Sequence, residues 1–556
     1  MKKRTLSILS ILTVLSLLLS ACGSIAGILN KVTISIVYGS EKREWLEPLV
    51  EQYNAERHQT PEGAVIVVET TPMGSIESVN AIIEGQLQPT VWSPASSVYI
   101  PVANAEWRQA HGSELVTGTP NDLVLSPVVI AMWEPMARAI GWPDRPLGWA
   151  DIAELATSEE GWSAYGYPEW GDFKFGHTHP GFSNSGIVSV IAEVYAGAGK
   201  QRDLEIADLQ DPDVQAFVAD VESAIIHYGS STGFFGERMF ERGPSYLSAA
   251  VLYENLVVAQ ESKRLAGQSQ QLPVVAIYPV EGTFWSNHPY AILNAPWVTE
   301  EERAAANDFE AFLLDQPQQL TALEFGFRPA DPSISLTSPL DAQHGVDPLQ
   351  PKTILEIPSA EVITGIEELW EQVKKPVDLV VVIDASGSMQ GEKIAAARTS
   401  LMQFVDLLSD RDRLEVIVFN GEIITLTDLT SLGEKRQDVK TRISGIIENG
   451  NTRLYDAVEF AYNELEAKAD PGHIRAIVVL SDGEDTQSFL SLPSLIARID
   501  TASQEGGSAV KLFTIAFGDD ADRDILVTIA EATGGKQYDS TPENINKIYQ
   551  EIATFF

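Results

Sequence analysis

From Val32 onward, apolar residues recur in two rhythms, short β-branched runs and stripes at helical spacing, and the two alternate. The run Leu379–Ile383 has the length and branching of a strand buried on both faces. Gly387 breaks it, and Glu392–Leu408 then places Ile394, Ala397, Leu401, Phe404, Val405 and Leu408 on one helical face. Asn449–Asp456 leads into a second amphipathic helix, and Ile477–Leu480 is a second buried strand. Upstream, Val32–Tyr38 and Val65–Glu69 read as strands, with a helix carrying Trp45, Leu46 and Val50 between them. Leu123–Met132 is long enough to cross between two lobes, and Val274–Tyr278 and the helix Ala304–Leu314 follow. Asp331–Pro358 has no period and is rich in Pro, Ser and Asp, which predicts an extended connector. Glu361–Val373 returns to helical spacing through Val362, Ile363, Ile366, Leu369, Trp370 and Val373. Such alternation predicts an α/β chain, and 556 residues predict two to four domains.

Polar residues gather where the buried runs stop. Asp384, Ser386 and Ser388 follow the first run within one turn, Thr452 opens the second helix, and Asp482 ends the second run. Open α/β sheets bind ligands at the carboxyl ends of their strands, so these five side chains point to one site. Their hard oxygens suit Mg²⁺ or Mn²⁺ better than zinc or copper. Taken singly, the serines read better as helix caps and Asp482 as a turn residue; five in register, each at a strand-to-helix junction, favour the site. Asp456, Glu484 and Asp485 read as solvated acids. A haloacid-type phosphatase would need a second Asp at position 386, which is Ser, and no glycine-rich phosphate loop ends in Lys-Ser or Lys-Thr.

Residues from about Val377 to Phe556 resemble a von Willebrand factor A domain, with a doubly wound, Rossmann-like sheet. Asp384-x-Ser386-x-Ser388, Thr452 and Asp482 match its metal-ion-dependent adhesion site in order and spacing. The resemblance implies that Ser386, Ser388 and Thr452 bind the metal directly or through water, while Asp384 and Asp482 supply charge. It also implies an open coordination position for the carboxylate of a protein partner.

Met1-Lys-Lys-Arg4 followed by the apolar Leu6–Leu19 predicts an export signal over residues 1–21. Leu19-Ser20-Ala21-Cys22 resembles a bacterial lipobox, which implies a diacylglycerol on Cys22, a tether over 22–31 and an extracytoplasmic chain anchored to the cell membrane. Cys22 is the sole cysteine, so an internal disulfide is excluded. The formal net charge of −40, or −43 once Lys2, Lys3 and Arg4 leave with the signal, argues against nucleic acid and anionic membrane surfaces as partners.

The order of elements over residues 32–334 is similar to a two-lobed type II periplasmic binding protein, nearest the molybdate- and sulfate-binding branch. Tyr38-Gly-Ser40, Ser126-Pro-Val-Val, His179-Pro-Gly-Phe-Ser183-Asn-Ser185-Gly186, Tyr253-Glu254 and Gly326-Phe-Arg-Pro carry the likeness. It implies a cleft for a small solute, with Ser40, Ser97 and Ser185 as donors and Tyr253 closing the site. Departure around Trp92-Ser-Pro-Ala-Ser96 leaves the class of solute open. His177-Thr-His179 lacks a third soft ligand nearby in sequence and reads as a pair of cleft-rim hydrogen bonders. Trp107, Trp133, Trp142, Trp149, Trp162 and Trp170 can stack sugars or pack a core, and packing is the commoner use.

Residues 335–376 then form a linker and connecting helix, and 377–556 the A domain. The whole reads as a binding and adhesion protein, not an enzyme. The alternatives are a receptor of an ABC-type importer, with the A domain as an accessory contact, and a metal-dependent hydrolase, for which no paired base and nucleophile appear.

Overall fold

Three sheets carry the fold in the computed structural model, which describes residues 31–470, 472–482, 485–500, 510–518, 521–533 and 535–555. The expected signal, Cys22, the tether up to Asn30, and Glu484 lie outside the described residues.

The first sheet runs in the order Val65–Met73, Lys31–Gly39, Val91–Ser93, Pro289–Ile292, Asn121–Asp122. Its first three strands are parallel and the last two pair antiparallel. Helices Arg43–Glu56 and Glu300–Leu314 cover one face through Trp45, Tyr53, Phe309 and Leu313. The helix Ser75–Ile83 covers the other through Ile76, Val79 and Ile82, its apolar positions at helical spacing.

The second sheet is built around Val124–Trp133, which pairs antiparallel with Ala249–Tyr253, Val274–Ile277, Trp285–Ser286 and Arg328–Pro329. Asn121–Asp122 belongs to the first sheet and Val124 to the second, so the chain changes lobe within the run whose length predicted a crossover. It returns between Trp285–Ser286 and Pro289–Ile292. Two lobes joined by such strands are the expected architecture. Trp107, Trp133, Trp149 and Trp162 are fully buried, and Trp142 and Trp170 pack at the edge of the core, so all six serve packing.

The predicted connector is extended but not loose. Leu340, Val346 and Leu355 are buried, and Ile354 bridges to Thr283. Ser359 caps the helix Ala360–Val373, and Lys374-Lys375-Pro376 ends it, because a residue before proline is driven out of the helical region. The helix buries Val362, Ile363, Ile366, Leu369 and Trp370 against the helices Ile100–His111, Asn184–Ala198 and Pro212–Glu222. Each such side chain contributes about 1.5–3 kcal/mol when fully buried, which makes the helix an integral part of the lobed body.

The third sheet runs Ile423–Ser431, Arg413–Phe419, Val377–Asp384, Ile474–Ser481, Lys511–Phe517, Gln537–Ser540. All neighbours are parallel except the edge strand Ile423–Ser431. Counted along the chain the order is 3-2-1-4-5-6, the doubly wound pattern whose direction reverses between Val377–Asp384 and Ile474–Ser481. Helices Glu392–Leu407 and Ile545–Ala553 pack on one face, through Phe404 and Tyr549 among others. Leu454–Lys468, Leu492–Asp500 and Arg523–Ala532 pack on the opposite face. Both central strands are buried throughout or nearly so, as the unbroken apolar runs demand.

Candidate functional site

The topological reversal of the third sheet brings Asp384 and Asp482 together. Each ends or follows one of the two strands flanking the switch point, where the chain leaves the sheet toward opposite faces and opens a crevice. Asp384 is fully buried; its Oδ1 accepts from the Ser386 backbone N–H at 2.8 Å and its Oδ2 from the Ser481 hydroxyl at 2.6 Å. Burial pushes its carboxyl up to about 6 against these hydrogen bonds, and the charge of Asp482 adds to the rise. Ser386 Oγ lies 2.9 Å from Ser388 Oγ. Neither serine caps a helix with its side chain: the helix Glu392–Leu407 starts at Gly391 without a side-chain cap, and so does the 3₁₀ turn Gly387–Met389 after Ser386. The capping alternative is therefore not what these serines do.

Thr452 is buried, and its backbone is pinned to the loop after Asp482. Its N–H donates to Thr486 Oγ1 at 2.9 Å, and its carbonyl accepts from the N–H groups of Thr486 and Gln487. Asp482 is buried as well. Lys393 Nζ approaches its Oδ2 at 3.7 Å, while its Oδ1 has no hydrogen-bond partner among the described residues. An orphaned, buried carboxylate oxygen beside a second buried carboxylate is costly unless a cation meets it. The donor set of two carboxylates and three hydroxyls fits a hard divalent cation. Lys393 and Ser481 are neighbours of the two carboxylates that sequence reasoning missed. Ser481 adjoins Asp482 in the buried run, but only strand pairing aims its hydroxyl at Asp384.

Asp456, expected to be a solvated acid, is buried instead. It accepts from the backbone N–H groups of Phe489 and Leu490 at 3.0 Å each and pairs with Arg453. Its role is to fasten the loop after Asp482 to the helix that follows Thr452. Asp485 fastens the same loop by accepting from the Leu454 N–H at 2.8 Å.

The four cleft candidates divide. Ser40, at the end of the first strand, sits 2.9 Å from Ser231 Oγ and accepts from the Gly233 N–H across the lobes. Ser185 lies 2.7 Å from Thr178 Oγ1 and 2.8 Å from Thr232 Oγ1, and Tyr253 accepts from Asn184 Nδ2 at 3.0 Å. Ser40, Ser185 and Tyr253 thus converge on the start of the helix Thr232–Arg242. Ser97 stands apart at the rim, donating to Asn287 Oδ1.

Between the lobes is an ionic core that the sequence did not announce. Lys42 Nζ donates to Glu41 Oε1 at 2.9 Å and to the Pro94 carbonyl, and lies 3.2 Å from His288 Nδ1. All three side chains are buried. Burial raises the Glu41 carboxyl, but the Lys42 charge and the His288 contact outweigh it and hold the group at about 2. Burial also lowers His288 to about 4. The Glu41 carboxylate folds back over Gly39, where a Cβ would meet Oε1 at 2.4 Å and would have to displace that carboxylate from its buried partners. Outside this core, Arg43–Glu237 at 2.5 Å and Lys263–Glu44 at 3.1 Å join the two lobes, and a cavity of about 430 Å³ lies beside them.

Of the two histidines expected at the rim, His177 is fully buried instead, while His179 is half-buried and packs edge-on against Trp370 with ring centroids 4.7 Å apart. Short sequence spacing suggested a loop at the surface; the connecting helix covers it.

Comparison with known proteins gives two matches along the chain. The family model for the bacterial extracellular solute-binding protein covers residues 34–328, and that for the von Willebrand factor type A domain covers 378–551. A Mycobacterium tuberculosis protein described as uncharacterized is 23% identical over 548 residues, covering 91% of this chain and 74% of that one. Inter-alpha-trypsin inhibitor heavy chain H4 of Bos taurus is 30% identical over 191 residues, 32% of this chain. The chain spans about a fifth of the length of that heavy chain. A solved periplasmic thiamin binding protein superposes with a TM-score of 0.45 at 10% identity, covering 62% of this chain and 96% of its own.

Proposed function

We propose that this chain, which belongs to the bacterial extracellular solute-binding protein family and carries a von Willebrand factor type A domain near its carboxyl end, is a lipid-anchored adhesion or assembly protein. Its two modules are binding modules, and the family match suggests an extracytoplasmic location. No helix among the described residues is long and apolar enough to cross a membrane. In this reading the boundaries fall at 32–334 for the lobed module, 335–376 for the linker and connecting helix, and 377–556 for the A domain.

Ser386, Ser388 and Thr452 would hold Mg²⁺ or Mn²⁺ directly or through water, with Asp384 and Asp482 supplying charge. The bound ion supplies an electrophilic centre for an acidic side chain of a partner. The protein's own groups orient the site: Ser481 and the Ser386 N–H fix Asp384, while Asp456 and Asp485 fix the loop beyond Asp482. The observation that carries the reading is the Oδ1 of buried Asp482, which has no hydrogen-bond partner among the described residues, beside buried Asp384.

A surface bearing Asp- or Glu-containing peptides is expected to retain the chain in Mg²⁺ or Mn²⁺ and release it in chelator. Equal retention by Asn and Gln versions of the peptides would remove the basis for the reading. For the lobed module, the ionic core at Glu41, Lys42 and His288 favours a scaffold role over solute capture, because these groups stand where the lobes meet. Solute binding through Ser40, Ser97, Ser185 and Tyr253, as in an importer's receptor, would require them to exchange their present partners for a ligand.

Anchoring through Cys22 has its own test. Cys22→Ser is expected to leave the precursor uncleaved and unlabelled when cells are fed a radioactive fatty acid. If wild type and variant incorporate the label equally, the anchor lies elsewhere.

A further inference from the structure

A second constellation of metal-ligating groups lies inside the second lobe, remote in sequence from the A domain. His177 follows the short strand Phe175–Gly176, Glu193 sits midway along the helix Asn184–Ala198, and Glu222 ends the helix Pro212–Glu222. All three side chains are fully buried, and one donor atom from each lies within 4.8 Å of the others.

The hydrogen bonds around the cluster fix what it lacks. His177 Nδ1–H donates to the Thr178 carbonyl at 2.7 Å, which turns the Nε2 lone pair toward Glu222 Oε1, 2.8 Å away. Tyr228 Oη donates to Glu222 Oε2 at 2.5 Å. Two acceptors thus face each other and need a positive species between them. A proton would satisfy His177 and Glu222, but it leaves Glu193 unexplained: neither of its buried oxygens has a hydrogen-bond partner among the described residues. Burial and the Glu222 charge favour a protonated Glu193, but its O–H would still have no acceptor among the described residues. A divalent ion meets Nε2, Glu222 and Glu193 together and offsets both carboxylate charges.

We propose that His177, Glu193 and Glu222 form a buried transition-metal site that is structural and independent of the A-domain site, with zinc as its best-fitting ion. The imidazole selects zinc over the magnesium that suits an all-oxygen set. Thr178 and Tyr228 act as the outer partners that orient the imidazole and one carboxylate. Ligand atoms held by zinc at about 2.0–2.2 Å stand roughly 3.4 Å apart, so His177 Nε2 and Glu222 Oε1 would part by roughly half an ångström while a Glu193 oxygen moves inward. The ion would tie two helices and a strand end beneath Tyr228, whose ring packs 5.1 Å from Trp370 of the connecting helix. It therefore braces the face on which the linker to the A domain is seated.

The test uses the full-length chain carrying Asp384→Ala, so that the A-domain site is disabled. The site is sealed, so the protein is unfolded in chelator and refolded with Zn²⁺, then freed of loose metal by gel filtration. Elemental analysis is expected to find about one zinc per chain, and refolding with Co²⁺ is expected to give the visible absorption of an imidazole–carboxylate site. Glu193→Gln, which keeps shape and removes charge, is expected to lose most of the zinc. Should Glu193→Gln misfold, His177→Gln together with the cobalt spectrum of the parent decides the matter. A parent that retains no zinc and shows no cobalt band, or folded variants that retain as much zinc as the parent, would overturn the proposal.

Discussion

Alanine in place of Asp384 is expected to erase the cation-dependent stability of the A domain while leaving its fold intact. At about a hundred times its Kd, Mg²⁺ or Mn²⁺ stabilises the wild type by about 2.7 kcal/mol, and most of that gain disappears in Asp384→Ala. Ser386→Ala and Ser388→Ala each weaken it. Thermal melts of the full chain at pH 7.5, with chelator or with millimolar cation, read the difference directly. The pH dependence gives a second check. Asp384 is raised to about 6 by burial, so in chelator its contribution is fully present below the ordinary carboxylate value of about 3.9. That contribution is lost as pH rises through about 6, a loss absent from the alanine variant. Identical melts in chelator and cation, for wild type and variant alike, would mean that the five residues hold no metal.

Glu41→Gln is expected to be the most damaging conservative change in the lobed module. It leaves the Lys42 ammonium buried without its counter-charge, which costs about 3–5 kcal/mol. Lys42→Met should cost a similar amount by stranding Glu41, and the double variant should recover much of the loss, because both charges are then gone. Urea denaturation of the three variants gives the coupling. Acid should expose the same core. Glu41 is held at about 2, so its contribution is present above the ordinary glutamate value near 4.3 and lost as pH falls toward about 2. His288, lowered to about 4, adds a loss as pH falls from near 6.5 through about 4. The double variant should keep only the His288 part of this acid limb. If each single variant unfolds with the wild-type midpoint, the ionic core adds nothing to stability.

Local sequence determined a great deal. Short unbroken runs rich in β-branched residues favour strands covered on both faces, so Leu379–Ile383 and Ile477–Leu480 announced the centre of a parallel sheet, and the polar residues after them mark its carboxyl edge. The long run at Leu123–Met132 likewise required a strand that outlasts one lobe. The stripe from Val362 to Trp370 dictated a helix with one buried face. These features depend on periodicity alone, which is written in neighbouring residues.

Tertiary structure decided what depends on residues far apart in the chain. Ser481 reaches Asp384 across 97 positions because two strands pair in register, and no spacing rule records that. Glu41, Lys42 and His288 form one ionic core only because the return strand brings position 288 beneath the first helix. His177, Glu193 and Glu222 look unrelated in sequence, on a loop and two amphipathic helices, until packing seals them together. Burial made the same difference for Asp456, a helix acid by its neighbours and a loop fastener by its partners. Hydrophobic pattern fixes which face of an element turns inward; which polar groups meet there is settled by the packing of those faces, through contacts that short-range pattern does not encode.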